Sequence, residues 1–380
     1  MRIAIVHDFM IKLGGAEKVL QVLHKIFPDA PIYTLLYDKE GTRGIFAGND
    51  YKIITSSLQK KPSFLRKRSK LLLTKYPQAI EEFDFSGFDL VISNSNSFAH
   101  GIITRPETLH ICYCYSPTRY LWDWHFEYLA ENNIKNNLFG IAIKSRLSQI
   151  RIWDKLSADR VDYFIAQSKT VQERIKKYYR KDSAIIFPPT DILKIPISPN
   201  KSKDFYLIVS RLSPYKRIDL AIVAFNKLGY PLLIVGDGSD RARLEKLAKS
   251  NIKFLGFVND EKVYKLMGES KALIFPGEED FGLTPIETMA TGRPVIAYQK
   301  GGVTETIVNG KTGIFFAQNS SKSLIDAVKQ FENKIDSFKP ADCISQAEKF
   351  SEKVFTKKIK SAVDNLYREY KRDSNYKSSK

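Results

Sequence analysis

The sequence has few cysteines and no long apolar run. Its three cysteines, Cys112, Cys114 and Cys343, are odd in number and show no C-x-x-C spacing. This excludes a disulfide framework or a zinc ribbon and is typical of a reducing cytosol. No stretch of about 18 consecutive apolar residues occurs, so we expect no membrane-spanning helix. The first apolar run, Ile3–Val6, is too short for a signal peptide, and we expect a cytoplasmic protein.

Acidic residues are scarce relative to basic ones. The 380 residues include 60 Lys+Arg and 42 Asp+Glu, which gives a formal net charge of +18. Much of this excess lies between Lys60 and Lys75, where basic residues alternate with Phe64 and several leucines. Such a segment indicates a surface for anionic lipid or nucleic acid, or a solvated basic face. Because no RNP, zinc-finger or helix-turn-helix pattern is present, we expect no nucleic-acid partner and predict peripheral association with the inner face of the cell membrane.

The composition and the residue pattern indicate an α/β protein. Hydrophobic residues make up 43% and charged residues 27% of the chain, which excludes disordered and fibrous classes. Short β-branched runs alternate with amphipathic segments, which indicates doubly wound parallel sheets. The predicted strands are Ile3–Val6, Pro31–Leu36, Asp89–Ser93, His110–Tyr115, Tyr163–Gln167, Ala184–Pro188, Phe205–Ser210, Pro231–Gly236, Ile252–Val258, Ala272–Pro276, Pro294–Tyr298 and Gly313–Phe316.

The length and one irregular stretch predict two domains. A single core stops growing near roughly 250–300 residues, and the strand–helix alternation stops after Thr190 in a stretch that contains two prolines. We therefore predict a linker at 194–203 between two Rossmann-like domains that face each other across a central cleft. The predicted N-terminal domain is 1–193 and the C-terminal domain 204–351; a helix at 352–372 and a polar tail at 373–380 follow.

The loop after the first predicted strand contains two adjacent glycines, Gly14 and Gly15, at a helix start. Glycine allows close approach of the backbone to a ligand, and the N–H groups of a first helical turn favour an anion. One interpretation is a phosphate contact, and the other is a glycine-capped turn. Neither this loop nor Gly236-Asp237-Gly238 matches G-x-G-x-x-G, which argues against a dinucleotide-dependent dehydrogenase.

Charged residues also follow two strands of the second half. Arg211 and Lys216 come after Phe205–Ser210, where a guanidinium fork and an ammonium suit a diphosphate; a solvated basic loop is the alternative. Glu279 follows Ala272–Pro276, and Pro285 predicts a helix start with Glu287 in its first turn. Acids that stabilise a helix start are the alternative there. The N–H groups proposed as a seat for phosphate at this helix start are those of Gly282, Leu283 and Thr284.

Glu279 and Glu287 form the pattern E-x7-E within EEDFGLTPIETMATGRPVIAYQKGGVTETIVNGKTGIFF. This stretch resembles the donor-site signature of the retaining glycosyltransferases with the GT-B fold, glycosyltransferase family 4. The resemblance continues through GGAEK, SNSNSFAHG, CYSPTRYLWD, AQSKTVQERI, SRLSPYKRID and VGDGSDRARLEKLA. YSPTRYLWD and PYKRIDLAI are most similar to bacterial mannosyltransferases of O-antigen, capsule and exopolysaccharide assembly. The resemblance therefore implies a hexosyltransferase with the GT-B fold.

Matching motifs imply roles for five residues. Arg211 and Lys216 would neutralise the leaving diphosphate, Glu279 would contact the donor sugar, and Glu287 would hold the ribose. Gly15 would meet the donor phosphate from the other domain. The resemblance also implies retention of the anomeric configuration and no metal. The sequence contains no D-x-D motif and its histidines are scattered, so we expect no metal and no cofactor.

The resemblance implies GDP-mannose as the donor, with a UDP-sugar as the alternative. The implied acceptor is a polyprenyl-diphosphate-linked glycan at the cytoplasmic leaflet. A basic membrane- or nucleic-acid-binding protein without catalysis is the alternative of another class. His110 is expected to be a core histidine, and for the aromatic candidates on the acceptor side packing is an equally open interpretation. The acceptor-side candidates are His100, Tyr113, Tyr115, Arg119, Tyr120 and Trp122.

Overall fold

The structure is a computed structural model that describes residues 1–67, 69–197 and 202–378, with the backbone alone for 67, 69–71 and 373–378. The chain divides into two compact units. Unit 1 comprises Met1–Pro188 and Phe355–Lys380, and unit 2 comprises Pro189–Val354. Parts of the predicted linker, basic segment and polar tail lie outside the described residues, namely Ser198, Pro199, Asn200 and Lys201, then Arg68, and then Ser379 and Lys380.

Unit 1 is built on a seven-stranded parallel sheet with the strand order β3-β2-β1-β4-β5-β6-β7. The strands are β1 Ile3–Met10, β2 Ile32–Tyr37, β3 Ile53–Thr55, β4 Leu90–Ser95, β5 Leu109–Cys114, β6 Tyr163–Ala166 and β7 Ser183–Ile185. The α-helices of its first segment are α1 Gly15–Ile26, α2 Ser63–Lys67, α3 Tyr76–Glu81, α4 His125–Glu131, α5 Leu138–Ser157 and α6 Lys169–Arg174. A π-helical turn, Ile175–Tyr179, continues α6.

Unit 2 is built on a six-stranded parallel sheet with the strand order β10-β9-β8-β11-β12-β13. The strands are β8 Tyr206–Val209, β9 Leu232–Val235, β10 Ile252–Gly256, β11 Leu273–Phe275, β12 Val295–Tyr298 and β13 Gly313–Phe316. The α-helices are α7 Ile218–Leu228, α8 Arg241–Leu247, α9 Asp260–Glu269, α10 Leu283–Ala290, α11 Val303–Thr306, α12 Ser321–Glu332 and α13 Pro340–Glu348. Every predicted strand is present, so the prediction of two doubly wound parallel-sheet domains is confirmed.

Of the strands, β3 and β1 differ most from the prediction. β3, Ile53–Thr55, is a half-buried edge strand of three residues, and it lacks the longer apolar run that identifies a central strand. β1 continues four residues past the predicted end at Val6, through Asp8, to Met10. The continuation was missed because a charged residue inside a buried strand contradicts the usual apolar pattern.

The last helix, α14 Glu352–Ser378, supplies core residues to unit 1. Phe355, Ile359 and Val363 recur at intervals of four, so they lie on one helix face, and all three are buried in the core that contains β1. Each such side chain contributes roughly 1.5–3 kcal/mol when buried. Among the described residues, no helix is both long enough and apolar enough to cross a membrane.

Candidate functional site

The strand order of unit 2 reverses direction at β8. β9 lies on one side of β8 and β11 on the other, so the connections that leave β8 and β11 separate and open a crevice at the carboxyl edge. A small pocket there is lined by residues of both connections, including Lys216 and Glu279. The Lys216 ammonium contacts the Glu279 carboxylate directly. Two residues predicted separately from sequence therefore meet at the point where such sheets bind ligands.

The loop after β8 holds its cations through an aromatic residue. Arg211 Nη2 donates a hydrogen bond of 2.8 Å to Tyr215 Oη, and Lys216 Nζ lies 5.0 Å from the centroid of the Tyr215 ring. Tyr215 thus contacts both cations. Sequence reasoning missed this residue, although its position between Arg211 and Lys216 could have indicated it. The loop packs tightly against its neighbour, because a Cβ added at Gly277 would lie 2.9 Å from Lys216 O.

A second glycine contact fixes the backbone of Glu279. The Gly302 N–H donates a hydrogen bond of 2.9 Å to Glu279 O, and Gly301 has a φ of 81°. A Cβ added at Gly301 would lie 2.3 Å from Glu279 O, so a larger residue would displace the acidic loop. These two glycines were not among the predicted site residues. They lie in the stretch that carries the resemblance, where two adjacent glycines could have indicated a close backbone contact.

Helix α10 begins earlier than predicted. Its N-cap is Gly282, with a φ of 89°, and its first residue is Leu283, so Pro285 occupies the third helical position and Glu287 the second turn. Pro285 fits there because the first four N–H groups of a helix have no intrahelical acceptor. The prediction that Glu287 lies in the first turn was therefore wrong by two residues, about half a turn. The N–H groups of Gly282, Leu283 and Thr284 do lie at the helix start, where the dipole favours an anion.

In unit 1 the loop that contains Gly14 and Gly15 is bonded to the helix that follows it, α1. The Gly14 N–H donates a hydrogen bond of 2.7 Å to Glu17 Oε2, so Glu17 supplies one half of a capping box at the start of α1, and Gly14 has no side chain to supply the other. Glu17 Oε1 lies 3.4 Å from Nε2 of the buried His7. Burial acts to lower the pKa of His7, but the hydrogen bond and charge of Glu17 outweigh it, so the pKa is raised. Gly15 is the first residue of α1.

Asp8 is a structural residue that sequence reasoning missed. Its carboxylate is 3% exposed and accepts four backbone N–H groups from the loop after β4. Oδ2 accepts from Asn96 and Ser97 at 2.5 and 3.1 Å, and Oδ1 from Phe98 and Ala99 at 2.6 and 2.6 Å. The strand order of unit 1 reverses between β1 and β4, so Asp8 shapes the corresponding crevice of this sheet.

Two of the acceptor-side candidates, Trp122 and His100, lie next to a second buried carboxylate, Asp154. Asp154 Oδ1 accepts from Thr118 Oγ1 at 2.6 Å, and Oδ2 accepts from Trp122 Nε1 at 2.7 Å and Tyr179 Oη at 2.9 Å. Burial raises the pKa of Asp154, against the nearby His100 and the three donors. Asp154 therefore joins the loop of residues 118–122 to α5. Its position in the last turn of α5 gave no signal of this role.

Three of the acceptor-side candidates are inaccessible. Tyr113 is fully buried, and its Oη donates a hydrogen bond of 3.0 Å to Ile186 O. His100 is 2% exposed, and its Nε2 lies 3.0 Å from Ser157 Oγ. Tyr115 is buried and donates a 2.7 Å hydrogen bond to Asn94 Oδ1. These side chains are packed inside unit 1 rather than lining a surface, and polar groups of neighbouring segments satisfy them. The three other predicted acceptor residues are half-buried: Arg119 donates to Asp123, Trp122 stacks on Tyr178, and the Tyr120 ring packs on Tyr128.

His110 is buried in β5, as predicted for a core histidine. Its Nε2 lies 2.8 Å from Ser93 Oγ, and burial lowers the pKa of His110 to about 3. Cys112, Cys114 and Cys343 are also buried, and none forms a disulfide. These groups belong to the cores of the two units.

The segment Lys60–Lys75 divides between the surface and the core. Phe64 is 61% exposed, whereas Leu72 is buried in the core of unit 1. The side chains of Lys67 and Lys70 lie outside the description, as does Arg68. Within the described residues no group of three or more His, Cys, Asp or Glu side chains is arranged to hold a metal ion.

Part of the chain is similar to a known protein family. Residues 190–350 match the model of the family "Glycosyl transferases group 1", so unit 2 carries a glycosyltransferase group 1 domain. An uncharacterized glycosyltransferase of Methanocaldococcus jannaschii is 24% identical over 58% of this chain and 63% of its own length. O-antigen chain mannosyltransferase C of Escherichia coli is 30% identical over 34% of this chain and 37% of its own length. The matches thus span less than two thirds of these relatives.

Solved structures cover nearly the whole chain. Anabaena Alr3699/HepE in complex with UDP superimposes with a TM-score of 0.73 at 18% identity, covering 96% of this chain and 100% of that one. Sucrose-phosphate synthase from Thermosynechococcus elongatus gives a TM-score of 0.74 at 15% identity, covering 97% of this chain and 100% of that one. At these identities the likeness concerns the fold, and the predicted GT-B architecture of two Rossmann-like domains is confirmed.

Proposed function

We propose that this chain is a retaining hexosyltransferase of glycosyltransferase family 4. In this proposal it moves mannose from GDP-mannose onto a polyprenyl-diphosphate-linked glycan during O-antigen, capsule or exopolysaccharide assembly. The observation that carries the proposal is the contact between Lys216 and Glu279 at the reversal point of the unit 2 sheet, inside the matched region 190–350. The mannosyl donor is supported by relatives named O-antigen chain mannosyltransferases.

In the proposed reaction the bond between the anomeric carbon and the leaving phosphate oxygen breaks as the acceptor hydroxyl attacks from the same face. The hydroxyl proton passes to the leaving phosphate, so no protein nucleophile is needed. Arg211 and Lys216 neutralise the charge that develops on the diphosphate, a form of stabilisation that favours the transition state. Neither this charge neutralisation nor the proton transfer requires a metal or another cofactor.

The contact between Lys216 and Glu279 also suggests how the donor is received. Before the donor binds, Glu279 neutralises the ammonium of Lys216. A diphosphate in the crevice offers Lys216 a stronger acceptor, since it carries more charge. Glu279 is then released to accept hydrogen bonds from the hydroxyls of the hexose. Glu287 binds the ribose, and the helix start at Gly282, Leu283 and Thr284 binds phosphate oxygens. For unit 1, a phosphate contact at Gly14 and Gly15 is proposed separately.

The charge-neutralising role is tested by Lys216→Ala and Arg211→Ala, with Lys227→Ala as the matched control. Lys227 is an exposed cation on α7, close in sequence but outside the crevice. Loss of one group that stabilises the developing charge lowers kcat about 10²–10³-fold, whereas Lys227→Ala is expected to stay within about twofold of the wild type. Turnover near that of the wild type in both crevice variants removes these residues from the mechanism.

A UDP-sugar is the alternative donor, because Anabaena Alr3699/HepE was solved in complex with UDP and with UDP-glucose. Melting shifts measured with GDP-, UDP-, ADP- and dTDP-sugars separate the two. Binding to the folded state alone raises stability with ligand concentration, so GDP-mannose is expected to give the largest shift. A larger shift with a UDP-sugar replaces the mannosyl proposal, and no shift with any member of the panel contradicts the transferase proposal itself.

We further propose that unit 1 associates peripherally with the cytoplasmic face of the membrane. Phe64 is exposed beside Lys60, Lys61 and Arg66, an arrangement that suits an anionic lipid surface. A second exposed apolar pair, Leu138 and Phe139, is 88% and 76% exposed at the start of α5. Co-sedimentation with phosphatidylglycerol vesicles, but not phosphatidylcholine vesicles, is expected at low salt. Equal recovery with both vesicle types contradicts the charge-based association.

A further inference from the structure

A pocket with no role in the steps above opens in unit 1, at the carboxyl ends of β1 and β2. It has a volume of about 220 Å³. Strand ends of parallel sheets are the usual ligand-binding edge of this fold class. Its lining includes Ile11, Lys12, Leu36, Tyr37, Asp38 and Arg66.

The walls of this pocket are held in place by the backbone. The Asp38 N–H donates a hydrogen bond of 2.8 Å to Met10 O, which joins the loops after the two strands. Gly41 packs so closely on the loop after β1 that an added Cβ would lie 2.0 Å from Ile11 O. The backbone of Tyr37 both donates to and accepts from the Gln59 side chain, at 3.0 and 2.9 Å. The pocket is therefore preorganised.

The charge in the pocket is predominantly positive. Lys12 and Arg66 contribute two cations. The one carboxylate, Asp38, uses Oδ1 to accept the N–H groups of Glu40 and Gly41 at 3.0 and 3.1 Å. An anion that enters the pocket thus meets two long cationic side chains, and the single acid is already turned toward its own backbone.

Tyr37 supplies an independent indication of a ligand. Its phenol oxygen is buried, and within the described part of the chain it has no hydrogen-bond partner. Buried hydroxyls in native proteins are nearly always hydrogen-bonded, so an orphaned one requires an explanation. A phosphate oxygen is a suitable acceptor for a phenol O–H. Ile11 and Leu36 add apolar surface to the same pocket.

We propose that this pocket binds the isoprenoid diphosphate of the lipid-linked acceptor. Lys12 and Arg66 neutralise the diphosphate, Tyr37 Oη donates to one of its oxygens, and Ile11 and Leu36 contact the first isoprene unit. This inference rests on the proposed function, which calls for such an acceptor. Lys12 also lies two residues before the Gly14–Gly15 loop, so an acceptor held here is close to the loop proposed to meet the donor. Free pyrophosphate has the same anionic chemistry without the apolar part.

The proposal is tested by calorimetric titration of the full chain with farnesyl diphosphate, farnesol and inorganic pyrophosphate. The variants are Lys12→Ala, Arg66→Ala and Tyr37→Phe, and the control is Lys52→Ala, an exposed cation that precedes β3. Farnesyl diphosphate is expected to bind at least tenfold more tightly than either pyrophosphate or farnesol. Each cation variant is expected to weaken its binding at least tenfold, and the control less than twofold.

Tyr37→Phe is the sharpest variant, because it removes only a hydroxyl that has no partner in the described structure. It is expected to leave the melting temperature unchanged and to weaken the binding of farnesyl diphosphate about three- to tenfold. Equal affinity in the wild type and all three variants overturns the assignment of the pocket. Pyrophosphate that binds as tightly as farnesyl diphosphate overturns the isoprenoid part and assigns the pocket to a free phosphate.

The same proteins separate failure of this inference from failure of the proposed function. All variants are expected to keep the wild-type melting shift with the nucleotide-sugar donor, since the pocket lies in unit 1 and the group 1 match in unit 2. A retained donor shift with no binding of farnesyl diphosphate overturns the pocket assignment alone. If the wild type shows no melting shift with any nucleotide-sugar donor, the proposed function is contradicted.

Discussion

Replacing Asp8 by asparagine is expected to destabilise the protein far more than an isosteric change usually does. In the native structure the two carboxylate oxygens accept four N–H groups from residues 96–99, two on each oxygen. Asparagine keeps one acceptor oxygen and presents an NH₂ group in place of the other. Two backbone N–H donors would then face a donor, and the negative charge that strengthens all four hydrogen bonds would be lost.

The size of the effect follows from these contacts. Hydrogen bonds to a charged group contribute about 1.5–3 kcal/mol each, so losing two costs roughly 3–6 kcal/mol. For a unit of this size, 1 kcal/mol shifts the melting temperature by about 2–4 °C, and a fall on the order of 10 °C is expected. Chemical and thermal unfolding of Asp8→Asn measure it, with the exposed Asp50→Asn as the control.

The role given to Asp8 is refuted if the free energy of unfolding of Asp8→Asn lies within about 0.5 kcal/mol of that of the wild type, the range of ordinary surface substitutions. Should the variant fail to fold, Asp8→Glu serves as the second probe. It keeps the charge and both acceptor oxygens, and it is expected to recover soluble protein with a reduced melting temperature. Equal loss in the glutamate and asparagine variants indicates that side-chain size, rather than hydrogen bonding, controls this position.

Three further predictions concern a core histidine, the two glutamates and metal removal. Because the pKa of His110 is lowered to about 3 in the folded state, the unfolded chain binds more protons than the folded one between about pH 6.5 and 3. As the pH falls from 6 to 4, the free energy of unfolding of the wild type is therefore expected to decrease by about 1.4 kcal/mol per pH unit more than that of His110→Gln. Parallel profiles of unfolding free energy against pH would contradict this. Glu287→Ala is expected to raise the donor KM about tenfold, whereas Glu279→Ala also lowers kcat; unchanged steady-state kinetics in both variants would remove the E-x7-E pair from the site. Transfer is expected to continue in EDTA at the untreated rate, and a rate that falls in EDTA and recovers with Mn²⁺ would contradict the metal-free proposal.

The sequence predicted best the features that depend on a repeating pattern. β8, β9 and β12 are short β-branched runs between amphipathic helices, and their alternation predicts a parallel sheet whatever the rest of the chain does. The positions of Lys216 and Glu279 followed from the same pattern, because each lies in the loop after a predicted strand. Their contact required the strand order as well, and local sequence does not determine which strands become neighbours.

Features that depend on distant backbone groups were not predictable in this way. Asp8 accepts hydrogen bonds from residues about ninety positions away, and Asp154 is bonded by Thr118 and Tyr179 from separate segments. Nothing next to either acid in the sequence indicates these partners. The start of α10 at Leu283 was misplaced for a local reason: Pro285 is a strong start signal, but the left-handed Gly282 ends the preceding loop sooner.

The return of the chain to its first unit has a consequence for biosynthesis. Unit 1 consists of two separated segments, and Phe355, Ile359 and Val363 from the second segment fill its core. Because a ribosome releases the chain from the amino end, unit 2 has its full set of residues before unit 1 does. The nascent first segment therefore remains incomplete, with apolar surface uncovered, until the second segment has been translated. A premature stop just before Phe355 would spare unit 2 and leave unit 1 permanently incomplete, a target for chaperones and proteases.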